Sequence, residues 1–239
     1  MNIYKKNSKG IPHYLVRHYW WAYLWPPAVW FFDHPWIINL ILFGNYEKLK
    51  RLTLEKFESI PQGRVLMLTS AYGTLIPDLV QHLSPRPLHL VDVADIQLKK
   101  AFEKVGNKER MLLLRMNAEQ LAIQSNSIST LLIFFLLHEL PEDARRRALS
   151  EAMRVVPVGG RVLCAEYNNK PTRSFLTRFN LSRKVLTKLE PFLESFWQND
   201  LIALLNDAAA AHGKLVQLRS KTEVFSDFYQ VCEFEVIEN

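Results

Sequence analysis

An α/β fold built on an open, doubly wound, mainly parallel sheet is what this sequence predicts, on three observations. From Arg64 onward, short apolar runs alternate with amphipathic ones, the pattern of strands alternating with helices. Thr130 to Phe135 reads as one unbroken apolar run, as in a strand covered on both faces. The 239 residues, 49% hydrophobic and 23% charged, suffice for one domain with a substantial core and exclude a disordered chain.

The elements follow in order. Arg64 to Thr69 is a first strand, and Leu75 to Leu83 a helix. Leu88 to Asp92 is a second strand, Ile96 to Val105 a helix, and Met111 to Arg115 a third strand. After the fourth strand, Thr130 to Phe135, Pro141 opens a helix to about Val155, with Glu142 and Asp143 at its positive end. Gly159-Gly160 turns the chain into a fifth strand, Arg161 to Tyr167, and Asn199 to Ala211 is a helix closed by Gly213. Lys214 to Arg219 and Phe228 to Val236 complete the set as an antiparallel edge pair. Seven strands in this order describe a class I methyltransferase-like sheet. Two pieces are extra: residues 1–58, an aromatic, basic extension with a helix from Trp36 to Glu58, and a lid insertion, 170–197, within the 59–239 domain.

Composition narrows the function classes. Cys164 and Cys232 are too few for a disulfide framework or a cysteine-built zinc site and suit a reducing compartment. The apolar stretch Trp36 to Phe43 falls well short of the ~20 residues a membrane-spanning helix needs, and no secretory signal is expected. Eight glycines are about half the usual share of ~7%. Five of the six tryptophans lie between Trp20 and Trp36, and residues 1–51 hold seven Lys/Arg against two acids, +5 of the chain's net +6. Cations interleaved with bulky apolar groups, without a recognition motif, argue against nucleic acid.

The turn after the first strand carries a degraded cofactor motif. The methyltransferase pattern for S-adenosylmethionine has an acid and then three glycines at alternate positions; here these are Met67, Thr69, Ala71 and Gly73. Other positions agree better. Asp92, followed by Val93, puts a carboxylate at the end of the second strand, where an acid binds ribose hydroxyls. Asn117 and Ala118 stand where the family's Asp-Ala faces adenine, and the Asn117 amide can pair with an adenine edge. Arg154-Val155-Val156-Pro157-Val158-Gly159-Gly160 matches the Pro-Gly-Gly turn before the fifth strand. Phe135 and the loop carrying His138 and Glu139 face the reacting end of the cofactor, so these two are candidate base, acid or metal ligand. Arg145 to Arg147 read as a solvated helix face.

The residues resemble the rhodoquinone-biosynthesis family, proteins related to methyltransferases. The resemblance runs over nearly the whole chain: Pro12-His13-Tyr14, Tyr19-Trp20-Trp21-Ala22-Tyr23, Asn39-Leu40-Ile41-Leu42, Gly44-Asn45, Tyr72-Gly73, Val91-Asp92-Val93, Ile96-Gln97-Leu98, Leu137-His138-Glu139, Leu189-Glu190-Pro191-Phe192 and Tyr229-Gln230. The aromatic block is its specific part. It implies transfer of the amino group of S-adenosylmethionine to ubiquinone, replacing a ring methoxy group, with Mn2+ assisting. Ser70 and Thr74 depart from the family, which has a cysteine and an acid there.

Met67 fits that chemistry: an acid at its position would keep the cofactor's ammonium charged, and an amine nucleophile must first lose a proton. Tyr72 and His138 are the expected proton handlers. His138, Glu139 and Glu166, with Asn168 nearby, are the expected manganese ligands. The tryptophans beside Lys5, Lys6, Lys9, Arg17, Lys48, Lys50 and Arg51 match an interfacial anchor on anionic lipid. The phenylalanines and cations of 170–197 match a lid over a lipophilic ligand. The expectation is a cytoplasmic enzyme peripherally associated with the inner membrane. The other readings are a conventional methyltransferase on a quinone-like lipid and a non-catalytic, cofactor-binding member of a quinone-synthesis complex.

Overall fold

The computed structural model describes residues 10–169 and 180–239. Lys5, Lys6 and Lys9, and Lys170 to Phe179 of the expected lid, lie outside these residues.

Seven strands form one sheet in the order β3-β2-β1-β4-β5-β7-β6. They are β1 (Val65–Leu68), β2 (Leu88–Asp92), β3 (Met111–Arg115), β4 (Thr130–Phe134), β5 (Arg161–Tyr167), β6 (Lys214–Val224) and β7 (Tyr229–Glu238). The first five pair in parallel, and β7 runs antiparallel to both β5 and β6. β1 and β4 are buried along their whole length, which their continuous apolar sequences demand. The two final strands run further than their sequences predict. The ladder passes an irregularity between Leu218 and Ser220, and the hairpin closes only at Phe225, Ser226 and Asp227, all left-handed. Cys164 and Cys232 oppose each other across β5 and β7 as free, buried thiols.

Ten helices accompany the described strands. The N-terminal ones are α1 (Trp20–Tyr23), led in by a π-helical stretch Leu15–Tyr19, then α2 (Pro26–Phe32), α3 (Pro35–Ile41) and α4 (Tyr46–Glu55). Pro26 and Pro35 each sit at a first helical position, where the missing N–H costs nothing. The single helix expected from Trp36 to Glu58 is two helices. Phe43 and Gly44 take φ of 51° and 78°, which no continuous helix allows. Two asparagines stabilise this corner: Asn39 Oδ1 accepts the Tyr46 N–H, and Asn45 Nδ2 donates to the carbonyls of Leu42 and Phe43.

The remaining helices are α5 (Leu75–His82), α6 (Asp95–Lys104), α7 (Glu142–Val155), α8 (Asn180–Leu189), α9 (Leu193–Trp197) and α10 (Leu201–Ala210). The buried ammonium of Lys214 closes the end of α7, donating to the carbonyls of Met153 and Val156 and to Asn126 Oδ1. The expected solvated face at 145–147 holds for Arg146 and Arg147 only. Arg145 is fully buried, stacked on Phe196, and donates to the carbonyls of Leu137, Leu140 and Phe192 and to Ser195 Oγ. One guanidinium thereby ties the loop after β4 to the α8–α9 segment.

Candidate active site

A cavity opens at the carboxyl ends of β1, β2 and β4, the place where open sheets of this class bind ligands. Thr69, Ser70, Asp92, Val93, Asn117, Ala118, Phe135 and Glu139 line it from the sheet domain, and Tyr14, Tyr19 and Tyr23 from the N-terminal segment. Thr69 and Phe135 hold φ of 72° and 53°. For a β-branched threonine at a glycine position this is backbone strain of the kind that gathers at functional sites.

Asp92 is the hub of the floor. Its Oδ2 accepts from Thr69 Oγ1 (3.1 Å) and Ser70 N (2.8 Å), and its Oδ1 from Ala94 N (2.8 Å). Burial raises its carboxyl pKa, and these hydrogen bonds oppose the rise. The expected S-adenosylmethionine fits the adenosine side of this cavity. Ser70 Oγ is buried beside Asp92, whose carboxylate the Ser70 side chain helps to hold charged. Asp92 would hold the ribose, and Asn117 and Ala118 would face the base. The Asn117 amide also braces its own loop, its Oδ1 accepting the Glu119 N–H and its Nδ2 donating to Glu119 Oε1.

The β1 turn itself is a correction. Met67, Ala71 and Gly73, expected to bind cofactor, do not line the cavity. Met67 is fully buried in the sheet between Leu90 and Leu132. The turn is filled from behind by the N-terminal segment and α6. Tyr46 Oη accepts from Thr74 N (2.7 Å) and Leu75 N (2.9 Å) and donates to Tyr72 O (3.2 Å). Asp33 accepts from Gly73 N, and Lys104 Nζ donates to the carbonyls of Ala71 and Gly73 and to Asp33. A Cβ on Gly73 would lie 2.5 Å from Tyr46 Oη, so the tyrosine seats here only against a glycine.

Tyr72, an expected proton handler, is also a fastener. Its hydroxyl donates to Ala22 O (2.6 Å) and accepts from Gln97 Nε2 (2.8 Å), its ring stacks on Tyr23 at 5.8 Å, and burial drives its pKa far up.

Of the two expected reacting residues, Glu139 lines the cavity; His138 lies beside it without lining the cavity. His138 is 4% exposed, and its Nδ1 lies 2.7 Å from Oε1 of the fully buried Glu166. Its Nε2 faces Glu139 Oε1 at 4.0 Å and Glu190 Oε2 at 3.9 Å. Burial alone would push the imidazole down, but the charges of Glu166, Glu190 and Glu139 outweigh it and raise the pKa to about 9. Burial pushes both Glu139 and Glu190 up; His138 opposes each. Tyr23 donates to Glu139, Tyr19 to Glu190 at 3.0 Å and Tyr14 to Glu119 at 3.0 Å. Burial and these carboxylates keep the three phenols protonated, so they remain donors.

The expected manganese ligands do not assemble. Among the described residues no group of three or more His, Cys, Asp or Glu side chains is arranged to hold a metal ion. Both Glu166 oxygens are taken, by His138, Leu137 N and Tyr167 N, and the Asn168 amide serves Glu223 and Lys221. Sequence reasoning missed Glu190, Tyr19 and Tyr23 as parts of this cluster, and Arg145 and Gln97 as its fasteners. Glu190 did carry a signal: it is one of two acids among six cations between residues 170 and 197.

The sequence model of the ubiE/COQ5 methyltransferase family matches residues 34–211. No curated protein sequence matches the chain. Solved structures resemble it at low identity. The [4+2]-cyclase SpnF has TM-score 0.57 and 14% identity, covering 80% of this chain and 82% of its own. Geranyl diphosphate methyltransferase, in complex with GPP and sinefungin, has TM-score 0.54 and 9% identity over 79% and 78%. Magnesium protoporphyrin IX methyltransferase from Synechocystis PCC 6803, with bound SAH, has TM-score 0.53 and 14% identity over 80% and 83%. These likenesses establish the fold. The family match begins after the three tyrosines of the cavity, which lie in the N-terminal segment.

Proposed function

Because the chain belongs to the ubiE/COQ5 methyltransferase family, we propose that it is an S-adenosylmethionine-dependent transferase acting on a lipophilic quinone. Its reaction is the replacement of a methoxy group of ubiquinone by an amino group, giving rhodoquinone: the ring C–N bond forms as the methoxy group leaves as methanol, and the bond from that nitrogen to the donor's Cα then breaks by β-elimination, the nitrogen taking up the proton. One observation carries the amino-transfer reading: the backbone groups of the β1 turn, from Ala71 O to Leu75 N, are already bonded to Asp33, Tyr46 and Lys104. That leaves the turn little with which to hold the cofactor's amino-acid end. Of the acids lining the cavity, Asp92 is committed to the floor and Glu139 remains.

S-adenosylmethionine, when bound, supplies an amine that is nucleophilic once deprotonated. Glu139, whose carboxyl pKa burial raises to about 8, accepts that proton in its ionised form. His138, held as imidazolium by Glu166, turns Nε2 toward Glu139 and Glu190 and so sets the charge balance around the base. Tyr19 and Tyr23 orient the two carboxylates and exclude water. No step is routed through manganese, since both oxygens of Glu166 are already bonded to His138, Leu137 N and Tyr167 N.

Conventional methyl transfer to a quinone-like lipid is the second reading, favoured by the family match itself. Incubation with ubiquinone and S-adenosylmethionine, with and without Mn2+, followed by mass spectrometry of the quinone, separates the two. Loss of methoxy with gain of nitrogen supports amino transfer, and gain of a methyl supports the second reading. An unchanged quinone with cofactor bound points to a non-catalytic binding protein.

A further inference from the structure

We infer that the outward face of α2 and α3 docks on the surface of an anionic lipid bilayer. Of the twelve large apolar side chains exposed among the described residues, nine lie between Trp20 and Phe43. Trp30, Trp36 and Leu40 are 61%, 64% and 69% exposed, with Phe31, Ile41 and Phe43 beside them in sequence and similarly bare. A concentration of this kind marks an interaction surface, since folded chains rarely leave so many bulky groups together in water.

Two further features select lipid as the occupant. The first is charge. Asp33 is the one acid between residues 10 and 46. Its side chain is only 8% exposed, with Lys104 Nζ at 2.6 Å and Lys100 Nζ at 3.8 Å. The surface of this stretch therefore offers no free carboxylate to repel anionic headgroups; the exposed Arg17 precedes it, and beyond it the exposed Lys48 and Arg51 share α4 with Glu47 and Glu55. Indoles with amphipathic rings, next to cations and clear of acids, are what the headgroup layer accommodates.

The second is continuity with the cavity. The segment that bears the indoles also supplies Tyr19 and Tyr23 to the cavity lining, and Tyr72 grips its Ala22 carbonyl from below. A bilayer against α2 and α3 thus lies just across the N-terminal helices from the reacting groups, an arrangement suited to a substrate drawn from lipid. The family match starts at residue 34, so it takes in α3 and leaves out α2.

Co-sedimentation of the full chain with phosphatidylcholine vesicles, with and without phosphatidylglycerol, tests the docking. Neither cofactor nor quinone enters the measurement, so its failure and the failure of the transferase proposal are distinguishable. The protein is expected to pellet with phosphatidylglycerol vesicles with a blue shift of tryptophan emission. The triple variant Trp30→Ser, Trp36→Ser, Leu40→Ser is expected to lower partitioning by on the order of tenfold or more while leaving the melting temperature unchanged. Wild-type protein that stays in the supernatant with both vesicles overturns the inference, as does a triple variant that pellets like wild type. A lipid-free dimer that the triple variant dissociates, with no vesicle binding by wild type, assigns the face to a second copy and likewise overturns it.

Discussion

Glu166 holds His138 from behind: Oε1 lies 2.7 Å from Nδ1, and the N–H groups of Leu137 and Tyr167 fix the carboxylate from the loop and from its own strand. The acid is sealed from solvent and the imidazole nearly so, which makes the pair a strong electrostatic element of the site.

Stability should therefore fall as pH rises through the alkaline range. The folded state raises the His138 pKa from 6.5 to about 9. Its contribution is fully present below pH 6.5 and is lost as pH climbs through about 9, with a size on the order of 3 kcal/mol. The raised carboxyl of Glu139 acts in the same direction, because its ionisation in the fold becomes a penalty as pH increases. Melting temperature against pH checks this, and Glu166→Gln should flatten the His138 part of the slope.

Glu139→Gln should lower turnover by roughly 10²- to 10⁴-fold, the usual worth of a positioned base. The amide still accepts the Tyr23 hydroxyl, so the fold and the cofactor dissociation constant should stay near wild type. Steady-state kinetics beside calorimetric binding distinguishes a lost base from a lost site.

Gly73→Ala should destabilise the chain by roughly 2–3 kcal/mol, combining a left-handed backbone at φ 79° with a Cβ pressed on Tyr46. Tyr46→Phe removes the nearest clashing atom as well as the cap on Thr74 and Leu75. The double variant should then cost less than the sum of the singles in denaturant unfolding. Additive costs would mean that the two residues do not share the space.

Arg145→Met should lose about 3–5 kcal/mol in urea unfolding, since four acceptors in the loop after β4 and the α8–α9 segment lose their donor. Arg146→Met, on the exposed side of the same helix, should stay within about 0.5 kcal/mol.

The sheet was legible because periodicity and length encode it: β2, β3 and β5 run between the residues their sequences predict. The N-terminal helices were legible only in part, since the break at Phe43 and Gly44 depends on Asn39 and Asn45 bonding across a corner that no periodicity marks. In the site, Asp92, Asn117, Phe135 and Glu139 face the cavity because strand ends point there by topology. Met67, Ala71, Gly73 and Tyr72 do not, because the motif does not reveal that Asp33 and Tyr46, 40 and 28 residues away from their backbone partners Gly73 and Thr74, have taken the turn over. Glu190 escaped notice for the same reason: it meets His138 only through folding of the segment that follows residue 179.

Amino transfer requires that the cofactor's amine, and not its methyl group, reach the quinone. Turnover of ubiquinone with S-adenosylmethionine carrying 15N at the amino group and 13C at the methyl, followed by mass spectrometry of the product, tests it directly. The expected product is a quinone that has lost a methoxy group and carries the 15N label on its ring, with no 13C. A product that retains the methoxy groups and gains the 13C methyl contradicts it.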